Sequence, residues 1–413
     1  MKILELPTYV TIKELPEFFR RKSGYGYMTW DITKAISKKS EVEIDLLTKF
    51  NFTKGLKYNK VNIIENSWKK IILNFKFKDL AKALSLIVRD QISFAKIPYI
   101  FFYYFSNGYL EKILDTKKYD IVHIHGVGYF SEPIIRLCEK KQIKYIITLH
   151  GLNSFQNGKN FPLKEGLIEK SFLSKVEGKN QFVTVVSSGV KKTILDFLGV
   201  SNSPNFAIVT NGCSTEISIN NQPISIRELY DLRSDIKIML CVGRIDSNKN
   251  QIEIIKAFNE LDDHTKDNMA ILFIGADGTN GEFIKALDQS KNKHLVHCGY
   301  VQKDDLESYY AQSDFNIVAS KKEGFGLSII EGYVHGLPCV TFADLDAVED
   351  LYHGKTMELV HERTISGLSE GMRNVFKRNW DRDFIKAFSE NFSLEQMAEN
   401  YFEIFKKITE KTN

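Results

Sequence analysis

A chain of 413 residues is too long for one ordinary hydrophobic core, and at about 100–200 residues per domain it predicts two. Its 43% apolar and 26% charged residues are those of a water-soluble globular protein. A net charge of only +4 leaves no broad electrostatic footprint for nucleic acid, so no nucleic-acid partner is expected.

Met1–Leu6 reads as a first strand, without the long apolar region or small-residue cleavage site of a signal peptide. Phe18-Phe-Arg-Arg-Lys22 is a basic, aromatic patch. Ser23-Gly-Tyr-Gly-Tyr27 follows it and precedes a helix predicted over Thr29–Ser37. Gly24 and Gly26 in such a turn, beside Arg21 and Lys22, suit an approaching phosphate. The segment is neither a P-loop nor a full dinucleotide fingerprint.

After a strand at Val42–Leu47 comes an insertion-like stretch between Ser67 and Tyr109. It carries Trp68, Lys69, Lys70, Phe75, Lys76, Phe77, Lys78, Lys82 and Arg89, then the aromatic run Tyr99–Phe105. Such a mixture suits contact with anionic headgroups. An ordinary helix pair is the other reading, with Leu80, Leu84 and Ile87 at core spacing. The run Ile97–Phe105 is far short of the ~20 residues that span a bilayer.

Strands follow at Ile121–His125, Tyr145–Leu149 and Phe182–Val186, with helices at Phe130–Lys140 and Ser188–Leu198. Alternation sets His123 and His125 on one side of their strand, in a site, a packed pair or a solvent-facing pair. His150 stands where the next strand leaves the sheet, the end at which parallel α/β sheets bind ligands. No metal is expected on these histidines, because the carboxylate partners of a site are not close to them in sequence.

The domain boundary is expected near Asn211–Ser234, a stretch of Asn, Ser, Pro and charge without periodicity. Around it, strands are predicted at Phe206–Thr210, Lys237–Val242, Ala270–Ile274, His294–His297, Phe315–Val318 and Pro338–Phe342. Helices are predicted at Gln251–Glu260, Gly281–Ser290, Asp304–Ser313 and Leu327–His335. The fold class is therefore α/β, two Rossmann-like doubly wound parallel-sheet domains facing a cleft. The five cysteines, Cys138, Cys213, Cys241, Cys298 and Cys339, are odd in number and widely spaced, as for buried thiols in a reducing cytoplasm.

Three loops of the second half carry chemistry. Cys241-Val-Gly-Arg-Ile-Asp-Ser-Asn-Lys-Asn250 puts Gly243, Arg244 and Lys249 after a strand, where Arg can clamp a diphosphate and Lys adds a point charge. Gly275 opens a βα turn in Ile274-Gly-Ala-Asp-Gly278, and Cys298-Gly-Tyr-Val301 offers either backbone groups to a base or an ordinary loop. Glu323-Gly-Phe-Gly-Leu-Ser-Ile-Ile-Glu331 holds two carboxylates around a Gly-Phe-Gly turn that opens an apolar helix. With Glu323 before the helix and Glu331 two turns inside it, both can face one pocket. Finally, Phe392–Phe405 is strongly amphipathic.

Val209-Thr-Asn-Gly212, Gly243-Arg244…Lys249-Asn250 and Glu323…Glu331, with Ile121-Val-His-Ile-His, Thr148-Leu-His-Gly and Val185-Val-Ser-Ser before them, resemble the retaining glycosyltransferases of the group-one, or family-four, type with the GT-B fold. The resemblance runs through nearly the whole chain. It implies an acceptor domain over 1–205, a donor domain over 206–392, and a C-terminal helix over 393–413 that packs back on the first. It also implies that Arg244 and Lys249 hold the diphosphate, Glu323 the sugar hydroxyls and Glu331 the ribose. Phe325, Gly326 and Leu327 would give amides to sugar and phosphate, His150 would touch the sugar near its reacting carbon, and Gly26 would approach the phosphates.

The family generally needs no metal, and no cofactor is expected beyond the substrate, a nucleotide-diphosphate sugar with UDP-sugar as the leading candidate. The expected acceptor is a glycan or lipid-linked glycan of bacterial surface polysaccharide such as capsule or O-antigen. The expected location is cytoplasmic, with peripheral contact at the inner face of the membrane. No second carboxylate is placed as a nucleophile, which favours front-face attack, retention being inferred from the family. Two departures stand out: Thr341–Glu349 lacks the glycine pair of relatives, and His335 replaces a small residue. A catalytically silent nucleotide-sugar-binding or scaffold protein and a nucleotide-sugar epimerase are the alternatives.

Overall fold

A computed structural model describes residues 1–20, 23–152, 163–176, 181–216 and 224–410. The expected cationic flank Arg21-Lys22 lies outside the described residues, as does part of the Asn211–Ser234 stretch. The chain divides into two compact units. One comprises Met1–Val186, Val190–Asn211 and Leu394–Asn413, and the other Ser187–Gly189 with Gly212–Ser393.

The first unit is built on a sheet of eight strands: β1 (Lys2–Leu6), β2 (Glu43–Leu46), β3 (Leu56–Tyr58), β4 (Val61–Ile63), β5 (Ile121–His125), β6 (Tyr145–Leu149), β7 (Gln181–Val185) and β8 (Phe206–Ile208). Their order is β3-β4-β2-β1-β5-β6-β7-β8, and all pairs are parallel except β3 with β4. β3 and β4 escape sequence prediction because each is three residues long. Asn59 turns between them with φ 54°, a conformation that Asn tolerates. The central strands read as continuous apolar runs because both faces are covered: Ile3, Leu4, Val122, Ile124, Ile146 and Ile147 are fully buried.

β8 corrects one boundary. Phe206–Ile208 pairs with β7 and so completes the first sheet, whereas the sequence places the start of the second domain at 206. Helix Leu394–Glu410 belongs to the first unit and packs on helix Gly24–Ser37. Tyr401, Phe402 and Phe405 form its buried face. Burial of each such side chain is worth about 1.5–3 kcal/mol.

The stretch after Ser67 forms helices Trp68–Leu73, Phe77–Arg89, Ile97–Phe105 and Asn107–Thr116. Helix Phe77–Arg89 buries Asp79, Ala83 and Leu86 rather than Leu84, which is 48% exposed. Ala83 and Leu86 join Ile100, Tyr104 and Tyr129 in a local core. The opposite side stays uncovered. Eight of the sixteen exposed large apolar residues named among the described residues fall here, from Trp68 to Tyr99, with Phe77 82% and Phe94 92% exposed. No helix among the described residues is long and apolar enough to cross a membrane.

The second unit holds β9 (Lys237–Val242), β10 (Met269–Ile274), β11 (Leu295–Gly299), β12 (Phe315–Val318), β13 (Cys339–Phe342) and β14 (Met357–Val360). All are parallel, in the order β11-β10-β9-β12-β13-β14. Sequence periodicity finds all but β14. All five cysteines are free, and Cys138, Cys241 and Cys339 are buried.

Candidate active site

β9 and β12 are adjacent and parallel, so the loops that follow them leave the same edge of the sheet. After β9, Asp246 organises the turn: its Oδ1 accepts from the backbone N–H of Asn248 at 3.0 Å and of Lys249 at 2.9 Å. The other oxygen accepts from Arg244 Nε at 2.9 Å and Nη2 at 2.8 Å. Arg244 is therefore aimed by its own loop while its side chain remains 77% exposed. Asn248 stitches this loop to the one after β12, donating from Nδ2 to Lys322 O at 3.0 Å and accepting from Lys321 N at 2.7 Å through its carbonyl.

Lys249 Nζ forms an ion pair with Glu323, and Ser320 Oγ donates to the same carboxylate at 3.3 Å. Lys249 and Glu323 thus meet, and Arg244 joins them through Asp246, which holds its guanidinium and the backbone N–H of Lys249. Gly326 has φ 85° and is the residue from which helix Leu327–Val334 departs. A side chain is disfavoured in that left-handed conformation, which explains the glycine. Phe325 is 3% exposed and anchors the turn.

Glu331 is the fifth residue of its helix, just over one turn in rather than two. It accepts a hydrogen bond from Tyr310 Oη at 3.0 Å. Tyr310 in turn stacks on His335 with ring centroids 5.5 Å apart, and His335 Nε2 lies 2.9 Å from Glu307 Oε2. His335 is thereby given a packing role behind Glu331, which sequence reasoning left without one.

Gly275 has φ 152°, and a Cβ there would lie 2.0 Å from the carbonyl oxygen of Gly243. The two glycines therefore let the loops after β9 and β10 touch backbone to backbone. Val301 is partly buried and packs its side chain against the core of this unit.

In the first unit, the glycine-rich turn does not precede its helix but forms its first turn, within Gly24–Ser37. Ser23 is the N-cap, with Oγ accepting from Gly26 N at 3.1 Å. Gly26 is buried, and a Cβ there would meet Thr11 Oγ1 at 2.2 Å, so packing alone explains this glycine. Gly24 is exposed with open space around it. Tyr25 places its ring edge-on to His150, centroids 5.6 Å apart, which brings this turn and the end of β6 together.

His123 and His125 do share one side of β5, with ring centroids 4.3 Å apart. Both reach Glu5 of the neighbouring β1, which the register sets directly opposite His123. Glu5 Oε1 lies 3.0 Å from His123 Nδ1, and Oε2 lies 3.0 Å from His125 Nε2. His125 Nδ1 is 3.1 Å from His150 Nε2, and the two rings stack at 9°. On the other side, His123 Nε2 meets Thr148 Oγ1 at 2.7 Å, which contacts Thr184 Oγ1 at 2.6 Å and Tyr401 Oη at 3.1 Å. Glu5, His123 and His125 are all 0% exposed.

Burial alone would raise the Glu5 carboxyl, but the charge and hydrogen bond of His123 and the hydrogen bond of His125 hold it down at about 2. Burial pushes His125 down to about 4, and burial beside His125 lowers His150 well below the ordinary histidine value. Glu5 escaped sequence reasoning; its signal was a carboxylate in an otherwise apolar run, Ile3-Leu-Glu-Leu6.

Glu5 is distant from these histidines in sequence but beside them in the fold, and Glu5, His123 and His125 stand close enough to hold an ion. Every ring nitrogen of His123 and His125 is already hydrogen-bonded, however, so a metal would have to displace partners at each. In the second unit, Asp344 and Asp346 form an Asp-X-Asp pair after β13. Asp344 is engaged by Arg363 at 2.7 Å, and burial raises the Asp346 carboxyl.

Comparison with known proteins accords with this arrangement. A family model described as "Glycosyl transferases group 1" matches residues 225–392, and one described as "Glycosyltransferase Family 4" matches residues 77–217. N-acetyl-alpha-D-glucosaminyl L-malate synthase of Bacillus anthracis is 22% identical over 311 residues, 72% of this chain and 77% of the relative. Among solved structures, Anabaena Alr3699/HepE in complex with UDP and glucose has a TM-score of 0.65 at 14% identity, covering 98% of this chain and 100% of that one. WaaG, a glycosyltransferase involved in lipopolysaccharide biosynthesis, has a TM-score of 0.62 at 13% identity, covering 98% and 100%.

Proposed function

Because this chain is a GT-B glycosyltransferase, with the family 4 match in its first half and the group 1 match in its second, we propose that it moves a sugar, with retention of configuration, from a nucleotide-diphosphate sugar to a glycan or lipid-linked glycan of a bacterial surface polysaccharide. The observation that carries this reading is the Lys249–Glu323 pair at one edge of the second sheet, in the loop system where Asp246 holds Arg244 and from which helix Leu327–Val334 departs. Two cations and a helix N-terminus suit a diphosphate. A carboxylate held beside them suits sugar hydroxyls.

Departure of a nucleoside diphosphate builds negative charge on its terminal phosphate. Arg244 and Lys249, oriented by Asp246 and Glu323, stabilise that charge. The charge balance is thereby supplied by this chain's own cations, and we assign the reaction no metal. Glu331, held by Tyr310, is assigned to the ribose hydroxyls, and the amides of Phe325, Gly326 and Leu327 to sugar and phosphate. The exposed face of Gly24 and the backbones of Gly243, Gly275 and Val301 complete the donor assignment. His150 is assigned to the transferred sugar. UDP is the proposed nucleotide, since the related Anabaena protein holds UDP and glucose.

The uncovered face of helices Trp68–Leu73 and Phe77–Arg89 supports a peripheral position at the cytoplasmic side of a membrane. Lys69, Lys78 and Lys82 are exposed among its apolar side chains.

Thermal-shift measurement against UDP, GDP, ADP and CDP tests the donor assignment. One nucleotide should stabilise the protein, by RT ln(1 + [L]/Kd) at its concentration, and Arg244→Ala should remove most of the effect. Absence of stabilisation by every nucleotide would remove the basis of the assignment. Incubation with the sugar form and an acceptor glycan then separates transfer from epimerisation, which would release nucleotide without a glycosylated product.

A further inference from the structure

We infer that Glu5 and His125 are positioning residues that hold His150 in a single tautomer, with Nε2 protonated and Nδ1 bare, so that His150 meets its ligand as a hydrogen-bond acceptor. An ionised carboxylate can only accept, and each Glu5 oxygen faces one imidazole nitrogen at 3.0 Å. His125 must therefore carry its proton on Nε2. A neutral His125 then presents a lone pair at Nδ1, 3.1 Å from His150 Nε2, and that contact is a hydrogen bond only if His150 donates it. His150 keeps its remaining lone pair on Nδ1, which has no partner among the described residues, and His150 is the only partly exposed member of a row whose other imidazoles and carboxylate are fully buried.

The arrangement has a directional logic. Glu5 lies on β1, His125 at the end of β5 and His150 just beyond β6, so three neighbouring parallel strands fix the row. The stacked rings of His125 and His150 and the edge of Tyr25 restrict rotation of His150. A ring so held offers a hydroxyl an acceptor in one fixed direction and gives no proton from Nδ1. A free imidazole would sample both tautomers and spend part of its time with a donor there.

The inference rests on the assignment of His150 to the sugar, but its test does not. Histidine side-chain nitrogen NMR on the full chain labelled with nitrogen-15 histidine reads the tautomer without substrate. The His150 signals are identified by their loss in His150→Asn. A pyrrole-type Nε2 and an imine-type Nδ1 are expected; a protonated Nδ1 would overturn the inference and leave the transferase reading standing.

Two variants then test the consequence. In His125→Asn the side-chain oxygen replaces Nδ1 and still accepts from His150, whereas His125→Leu fills the space and accepts nothing. The Leu variant should lose roughly tenfold to a hundredfold in kcat with nucleotide-induced stabilisation unchanged, and the Asn variant should recover most of that loss. A folded Leu variant with the kcat of the parent would show that positioning is unnecessary. If the Leu variant does not fold, the tautomer of the parent still decides.

Discussion

Lys249 and Glu323 are ion-paired across 74 residues of sequence because their loops leave adjacent strands, β9 and β12. The carboxylate engages the cation that we assign to a diphosphate. A nucleotide must then share Lys249 with Glu323, and the sugar hydroxyls recover the carboxylate's hydrogen bonds. Glu323→Gln should keep or increase stabilisation by the nucleoside diphosphate alone while lowering transfer by about a hundredfold or more. Thermal shift and product formation measured on the same preparation check both halves. A Gln variant that loses nucleotide binding would show instead that Glu323 serves to shape the loop.

The sheets were legible in the sequence where both faces of a strand are covered, because such strands are unbroken apolar runs: Ile121–His125, Tyr145–Leu149 and Lys237–Val242 were located to the residue. The hairpin of β3 and β4 was not, since three-residue strands carry no usable alternation. At the site, the residue types that follow each strand pointed to Arg244, Lys249, Glu323 and His150. Their partners depend on which strands are neighbours. Glu5 could be tied to His123 and His125 only once β1 was known to lie beside β5. Leu84 was misplaced for a different reason: helix Phe77–Arg89 buries Asp79 beside Ala83 and Leu86 and carries apolar residues on its exposed side as well, so apolar spacing alone does not single out the buried face.

The loops of the second unit make opposite demands on two glycines. An Ala at 275 would drive its Cβ into the backbone oxygen of Gly243 at 2.0 Å, and backbone cannot step aside locally. An Ala at 326 meets the flexible end of Ile329 at 2.9 Å, and its main cost is the left-handed φ of 85°. Gly275→Ala should therefore cost about 2–4 kcal/mol, and Gly326→Ala about 1–2 kcal/mol. Urea unfolding of both variants gives the order, and the reverse order would contradict this account of the loops.

Phe77 and Phe94 are 82% and 92% exposed, so their replacement by Ser should leave the thermal midpoint unchanged or slightly raised. If the helices from Trp68 to Tyr99 contact anionic bilayers, the double variant should lose most binding to phosphatidylglycerol vesicles. Lys69 and Lys82 supply the charge, whereas Glu111 engages Lys76 at 2.7 Å and Lys78 at 3.7 Å, and Glu65 engages Lys70 at 3.5 Å. Charge removal should accordingly be tested at Lys69 and Lys82. Co-sedimentation at low and high salt separates the contributions, and equal binding by parent and double variant would dismiss this face as the contact.

Lys49 is 5% exposed and donates to Ser106 Oγ at 2.7 Å. Burial lowers its ammonium from the ordinary lysine value of 10.5 to about 7. Between these two values the unfolded chain holds a proton that the folded protein has given up, so this residue makes stability rise as pH increases from 7 towards 10.5. Below 7 both states are charged, and the folded state bears the full cost of burying the cation. Lys49→Met keeps the length of the side chain, and Ser106 Oγ retains Tyr103 O at 3.1 Å as its acceptor. The variant should be more stable than the parent at pH 7, by about 1–3 kcal/mol. Its advantage should shrink by up to about 1.4 kcal/mol per pH unit as the pH is raised to 9.5. Denaturant unfolding of the pair at several pH values reads the difference directly, and groups that titrate alike in both proteins cancel. An advantage that stays constant with pH would mean that Lys49 remains charged throughout, held by a partner other than Ser106.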